Sequence, residues 1–395
     1  MGFFTTKKSN ERLIALFGIG SGSVGGALIH LTKDEKGEWA PHIIAQERTF
    51  STFQNELNFD SFFSNMQLAL RSTVEKIYNQ KKGAPDSIFC TMTSPWYLSD
   101  TRKINFKKAV PFTVTQKLMN EIINIELSSI LRSYEEKYKD MNASPYLVES
   151  RVLHTTLNGY DVVNPLQMKA KSINVNLFVS IAPDVSINSI KGEISQYFHD
   201  TPVYFGSFVL LMLIIARERL VDQSSYFLID VNAELTDVGV VTNGILVATI
   251  SFPIGKNYII RAISNNLNKS ESDSRTMFSM LANGTISNEE KLKLDPIMET
   301  IKSDWSRAFK DSLDLLPQTI SLSSNIFLVA DSDASIWFSN LLNDKAYTQK
   351  VLNQKYFNVN VIEGQKLLDV CKVSDGPCDQ FLMIEAIALA RLLPK

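Results

Sequence analysis

The stretch from Phe227 to Gly255, FLIDVNAELTDVGVVTNGILVATISFPIG, limits what this chain can fold into more than any other part of it. Three runs rich in β-branched and aromatic residues, Phe227–Val231, Thr236–Val241 and Ile245–Phe252, are separated by Asn232-Ala233-Glu234 and by Asn243-Gly244. Runs of that kind between turn formers read as strands, so the spacing predicts a three-stranded meander. Its second turn is a tight hairpin, because Asn-Gly tolerates the positive φ that both central positions of a type I′ turn require. The first turn carries the polar residues: Asp230 ends one strand, and Thr236-Asp237 opens the next. Aspartates at strand ends commonly cap turns, so the pattern alone leaves a structural and a ligand-binding role both open.

The start of the chain has a similar layout. Arg12–Phe17 is an apolar strand running into Gly18-Ile19-Gly20-Ser21-Gly22-Ser23-Val24-Gly25-Gly26, after which Ala27–Leu31 is apolar again. A glycine-dense turn lets backbone N–H groups approach a phosphate, since no Cβ intervenes. It equally makes a tight hairpin, and the residue types do not separate the two. No Gly-Lys-Ser/Thr follows, which excludes a Walker motif. A strand and not a helix comes next, which excludes a dinucleotide fingerprint.

A chain of 395 residues, 45% hydrophobic and 21% charged, can bury more core than one ordinary domain needs, which favours two lobes. The net charge of −2, with Lys and Arg scattered, gives no nucleic-acid surface. Cys90, Cys371 and Cys378 are odd in number and lack metal-ligand spacing. They suit a reducing compartment and small core or surface positions. Met1–Asn10 has no apolar leader segment, and the longest apolar run, Phe208–Ala216, is far short of the roughly 20 residues a bilayer needs. A cytoplasmic location is expected. Met1-Gly2-Phe3-Phe4-Thr5-Thr6 fits the loose myristoylation pattern, with an ordinary frayed start as the alternative.

Between the two glycine or turn regions, Phe59–Asn79 has apolar residues at helical spacing and Ser87–Thr91 is a strand. Phe106–Val114 is extended, and Thr115 is an N-cap for a charged helix to about Tyr138. Tyr146–Leu157 and Lys171–Ile181 read as two more strands, making a strand, helix, strand, strand block. Ile187–Phe198 and Val209–Leu220 are helices, with Val203–Phe205 a short strand between them. After the meander, Tyr258–Asn266 is helical, Asn268–Pro296 polar, and Ile297–Leu315 helical again. Ile326–Val329 and Asn358–Ile362 are strands, and Gln380–Leu393 is a last helix.

Together these stretches resemble the bacterial actin-like proteins of the FtsA and PilM group. The group's first-loop Asp-Ile-Gly-x-x-Ser/x-Val corresponds to Gly18–Val24, and its Asp-Ile-Gly-Gly-Gly-Thr-Thr-Asp to Asp230–Asp237. Its Pro-x-Gly is Pro253-Ile254-Gly255, and Gly159–Val175 looks closer to FtsA than to PilM. The resemblance implies an α/β, two-lobed actin-like ATPase fold, with a strand-helix-strand-strand subdomain inserted into the first lobe and a fourth subdomain reduced to helices. The expected layout is first lobe 10–100, insertion 101–183, first lobe again 184–223, second lobe core 224–267, helical subdomain 268–316, second lobe 317–370, and a returning C-terminal helix 371–395.

The resemblance also implies a nucleotide site. Gly20, Ser21, Gly22, Ser23, Thr236 and Gly255 would bind ATP, and Asp230 and Asp237 are the candidates for Mg²⁺ and catalysis. The departures bear on activity. The first-loop Asp that organises Mg²⁺ and water in the group is Gly18 here, and the glycines of the second loop are Asn232, Ala233 and Glu234. Glu234 is expected to face and repel a γ-phosphate, and the double substitution Gly18→Asp, Glu234→Gly to strengthen nucleotide binding. The leading expectation is therefore an FtsA-like scaffold, a poor or inactive ATPase acting through protein contacts of the inserted subdomain or through self-association. A PilM-like pilus adaptor and an active ATPase are the alternatives. A sugar or small-acid kinase would need a catalytic Asp in a substrate cleft, and no residue stands at such a motif. Phe381–Leu393 has the place of the fold's own last helix, so membrane attachment is expected through a partner, at the inner face of the membrane.

Overall fold

The computed structural model of the chain describes residues 10–139, 143–220, 223–317, 320, 322–345, 357–374 and 376–394. The Met1–Thr6 pattern lies outside them. In the first lobe, β1 (Glu11–Ile19), β2 (Ser23–Lys33) and β3 (Trp39–Phe50) form an antiparallel meander, while β4 (Ser87–Met92) and β9 (Val203–Ser207) extend the sheet parallel to β1. The strand order is β3-β2-β1-β4-β9, and a two-residue β15 (Lys372–Val373) is added outside β3.

The second lobe repeats this order. Its meander is β10 (Tyr226–Val231), β11 (Thr236–Thr242) and β12 (Ile245–Phe252), and β13 (Asn325–Ala330) and β14 (Asn358–Val361) continue it in parallel, giving β12-β11-β10-β13-β14. Asn243 (φ 51°) and Gly244 (φ 73°) form the expected hairpin turn. Side chains alternate across β10. Tyr226 and Leu228 join the core of the first lobe, whereas Phe227, Ile229 and Val231 join the second.

The insertion forms a separate four-stranded sheet with its own core, in the order β5 (Leu98–Thr113), β8 (Lys169–Pro183), β6 (Pro145–Leu157), β7 (Tyr160–Asp161). The helix α2 (Gln116–Tyr138) packs on it, capped by the Thr115 side chain, which accepts from Leu118 N at 3.2 Å. Two helices flank the junction with the first lobe: α3 (Asp184–Ser195) packs against α1 (Phe59–Asn79) and against β6 and β8.

Between β12 and β13 the chain is helical: α5 (Lys256–Leu267), α6 (Glu271–Ala282) and α7 (Asn288–Asp314). The polar stretch expected over Asn268–Pro296 is thus two helices, and α7 starts nine residues before Ile297. The reason is local. Ser270 and Ser287 are N-caps, with Asp273 N and Glu290 N donating to the serine hydroxyls at 3.1 and 3.3 Å and the hydroxyls donating to the Asp273 and Glu290 carboxylates at 2.8 Å each. Pro296 is held inside α7 by the apolar face of Leu294, Ile297, Met298, Ile301, Trp305 and Phe309. A further helix, α8 (Ser332–Asn343), follows β13.

Two helices are apolar on nearly every side, which marks buried helices. They are α4 (Phe208–Arg219) and α9 (Gln380–Leu392). They pack on each other, α9 lying on the first-lobe sheet and α4 reaching β10 of the second lobe. Among the described residues no helix is long and apolar enough to cross a membrane.

Glu149 of β6 is buried where the insertion meets the first lobe. Its Oε1 accepts from Ser207 N at 2.8 Å, from the Ser207 hydroxyl and from Ser180 Oγ at 3.3 Å. Burial pushes its carboxyl above the usual range, against these hydrogen bonds. A raised native pKa means that the folded state holds the proton more tightly than the unfolded one, so this group's contribution is full in acid and is lost as pH rises through the native pKa. Glu149→Gln should therefore melt at a temperature that gains on the unsubstituted chain between pH 5 and pH 8, as followed by circular dichroism.

Candidate functional site

A cleft of about 610 Å³ lies between the lobes, walled by Gly18–Gly20, Gly22 and Ser23 on one side and by Val231–Ala233, Lys256 and Asn257 on the other. Asp331, Ser332 and Asp333 stand at the end of β13, and Phe381 and Glu385 of α9 complete the lining. Gly20, Gly22 and Ser23 therefore line the cleft. Ser21, Thr236 and Gly255 are buried behind its wall, as are Asp230 and Asp237.

The two loops touch each other. A Cβ on Gly22 would overlap the Ala233 methyl, and one on Gly255 would lie 2.6 Å from Ala233 O. Ser21 Oγ accepts from Glu234 N at 3.0 Å, which ties the first loop to the second. Gly20 N donates to Ser23 O at 3.0 Å and Asn232 N to Leu235 O at 2.9 Å. The carbonyls of Asn232 and Ala233 accept from Lys256 N and Asn257 N, the first amides of α5. The amides of Gly20, Asn232, Glu234, Lys256 and Asn257, which a phosphate cradle could present to an anion, are thus engaged within the protein.

The side chains of the second loop are also engaged. Thr236 Oγ1 donates to Ile254 O at 2.6 Å and accepts from Trp305 Nε1 at 3.3 Å. Glu234 does not face the cleft as an unpaired charge. Arg261 of α5 grips it through both guanidinium ends, at 3.1 Å to Oε1 and 2.6 Å to Oε2, and Asn257 Nδ2 donates to Oε1 at 2.7 Å. Arg261 also donates to Gln54 O at 3.3 Å and lies over Phe53, in the segment leaving β3 of the first lobe. The expected repulsion of a γ-phosphate by Glu234 is accordingly replaced by a buried ion pair that clips the lobes together.

Asp230 and Asp237 are register partners on β10 and β11. Asp237 is fully occupied, accepting from Ser94 N at 3.2 Å and from Ser251 Oγ at 2.5 Å. Asp230 accepts from Asn232 Nδ2 at 2.6 Å through Oδ2 only, while its Oδ1 is buried without a partner. Burial raises both carboxyls, and the charge of Asp237 raises Asp230 further. Among the described residues, no group of three or more His, Cys, Asp or Glu is arranged to hold a metal ion.

The residue that sequence reasoning missed is Glu385. It is 3% exposed, and its carboxylate occupies the space in front of Gly18, where a Cβ would lie 2.6 Å from Oε1 and 2.8 Å from Oε2. Burial holds its carboxyl well above the usual range. Arg48 opposes the shift, and Asp379 and Asp230 add to it. A lone carboxylate inside the otherwise apolar QFLMIEAIALARL was the signal that could have found it. Arg48 itself is paired with Asp379 at 2.7 and 2.9 Å and donates to Ser23 Oγ at 2.8 Å, and Lys256 bridges Asp331 and Asp333 at 3.2 and 2.7 Å.

Gly18→Asp is therefore not expected to restore binding. The new carboxylate would meet Glu385 at contact distance, and like charges about 4 Å apart repel by roughly 4 kcal/mol at an effective dielectric constant near 20. The variant should unfold at lower denaturant than the parent, and Gly18→Asp combined with Glu385→Ala should recover most of the loss, as read by urea titration.

No family model matches the chain, and no curated protein sequence matches it. Among solved structures, a chain of a PilM-PilN type IV pilus biogenesis complex superposes over 95% of this chain and 96% of its own, with a TM-score of 0.59 at 12% identity. Looser matches are the ethanolamine utilization protein EutJ from Carboxydothermus hydrogenoformans (TM-score 0.43, 9% identity, 98% and 91% covered) and MreB5 of Spiroplasma citri bound to AMPPNP (TM-score 0.44, 8% identity, 96% and 95% covered). The fold is the actin-like ATPase fold, with the inserted sheet and the all-helical fourth subdomain expected from the sequence.

Proposed function

We propose that this chain is an actin-fold adaptor that works through protein contacts and does not depend on nucleotide turnover. The observation that carries the reading is the occupation of the loop amides: Gly20 N, Asn232 N and Glu234 N all donate within the protein. Phosphoryl transfer depends almost entirely on positioned donors and charges, so a cleft that spends them on itself is a poor catalyst. The likeness to a chain solved as a PilM-PilN complex supports an adaptor of the PilM kind, attached to a membrane only through a partner. The FtsA-like reading is second, favoured by the stretch Gly159–Val175.

On this reading the partner surface is the inserted subdomain, where Ile125 of α2, Tyr160 of β7 and Val163 in the loop after it are exposed at 71%, 78% and 106%. Affinity capture from an extract of the source cell, with and without ATP, tests the proposal. Capture should be the same with and without ATP and should be lost when Ile125, Tyr160 and Val163 are together replaced by Asp. Capture that requires ATP would contradict it.

A further inference from the structure

We infer that the inserted subdomain is a strap that holds the two lobes closed without nucleotide, with Asp237 of β11 as its catch on the second lobe. The strap is anchored on the first lobe. Val148 of β6 and Phe178 and Ala182 of β8 belong to the first-lobe core, and Glu149 accepts from Ser207 N at the end of β9. The insertion therefore moves with the first lobe. It also reaches the second lobe, where β5, β6 and β8 all pack against β12, the outermost strand of that sheet.

The hydrogen bonds across this contact run in two rungs, and their directions follow from the single proton each hydroxyl can give. Thr249 Oγ1 donates to Ser99 O at 3.2 Å, so in the 2.8 Å contact between the two hydroxyls Ser99 Oγ is the donor. Ser251 Oγ donates to Asp237 Oδ1 at 2.5 Å, so Ser94 Oγ donates to Ser251 Oγ at 3.0 Å. Ser94 N donates to Asp237 Oδ2 at 3.2 Å, which engages the second carboxylate oxygen as well. Asp237 and Ser251 are register partners, and Thr249 lies two residues along β12 on the same face. These two rungs meet Ser94, in the turn leaving β4, and Ser99, at the start of β5. The Arg261–Glu234 clip fastens α5 to the segment leaving β3 and shares no residue with the strap. Opening about one fastening stretches the other, so the pair resists a hinge at either place.

The test uses the full chain carrying Ser99→Cys and Thr249→Cys, under mild oxidation. Hydroxyls 2.8 Å apart place their Cβ atoms within disulfide reach. The pair should cross-link nearly completely without nucleotide, and equally with millimolar MgATP, as read by peptide mass. In a second measurement Thr249→Val keeps the side-chain shape and removes the Ser99 rung. Amides of β12 and of the Ser94–Ser99 stretch should then exchange hydrogen about tenfold faster or more, while α6 and α7 keep the parent rates. Cross-linking that requires MgATP would overturn the inference, because nucleotide would then be what closes the lobes. Absence of cross-linking, or parent-like exchange in Thr249→Val, would overturn it as well. None of these readouts involves a partner protein, so each outcome is separate from whether the chain is an adaptor.

Discussion

Replacing Arg261 by alanine is expected to destabilise the chain by about 3–5 kcal/mol, the range for removing one partner of a buried ion pair. The Glu234 side chain is 6% exposed and that of Arg261 13%, so solvent cannot take over when the guanidinium is lost. Asn257 Nδ2 would still donate to Glu234 Oε1, and the contacts to Gln54 O and Phe53 would go. The loss is chiefly the cost of an uncompensated charge and not the worth of the pair. Glu234→Met combined with Arg261→Met should therefore lose less than Arg261→Ala alone, since a packed apolar pair can match a buried ion pair. Urea unfolding of Arg261→Ala and of the double variant beside the parent measures the difference, and a double variant that loses as much as Arg261→Ala would contradict it.

Trp305→Ala should lose a further amount of the same size, about 3–5 kcal/mol, by opening a cavity in the second lobe. Trp305 is 0% exposed and sits against Phe252, Phe309 and Phe338, with ring centroids at 5.5, 5.0 and 5.4 Å. Its indole N–H also meets Thr236 Oγ1 at the start of β11. Trp305→Phe keeps most of the ring volume and forfeits that hydrogen bond, worth about 1 kcal/mol. It should recover the larger part of the loss. A fall in the urea midpoint with an unchanged slope would locate the effect in native-state packing.

These two residues also show what the sequence could and could not reveal. The meander around Asn243-Gly244 was legible because strand runs and turn chemistry are local properties, and the same holds for the Thr115 cap. Serine N-caps at Ser270 and Ser287 are equally local and were obscured by the polar composition between them, with Pro296 misleading as a boundary. The partners of the loops were not legible, because they come from far along the chain. Arg261 lies 27 residues after Glu234, and Asp379 lies 331 residues after Arg48. Glu234 read alone is a charge in a phosphate loop, while beside Arg261 it is half of a clip. Likewise Gly18 read alone is a lost carboxylate, while beside Glu385 it is the space that another carboxylate fills.

The same geometry alters what a repair of the cleft requires. Restoring glycine at position 234 would strand Arg261 without its main acceptor, so the change acts on the clip between the lobes as well as on the loop. On the proposed reading the closed loops, and not the missing Asp, are the main barrier to phosphate.

Calorimetric titration of MgATP into the full chain, in buffer already saturated with Mg²⁺, tests this most directly. The account predicts heats no larger than dilution, or a curve too weak to saturate at millimolar nucleotide, with no phosphate released over background. A saturable isotherm in the micromolar range with turnover that disappears in Asp237→Ala would contradict it.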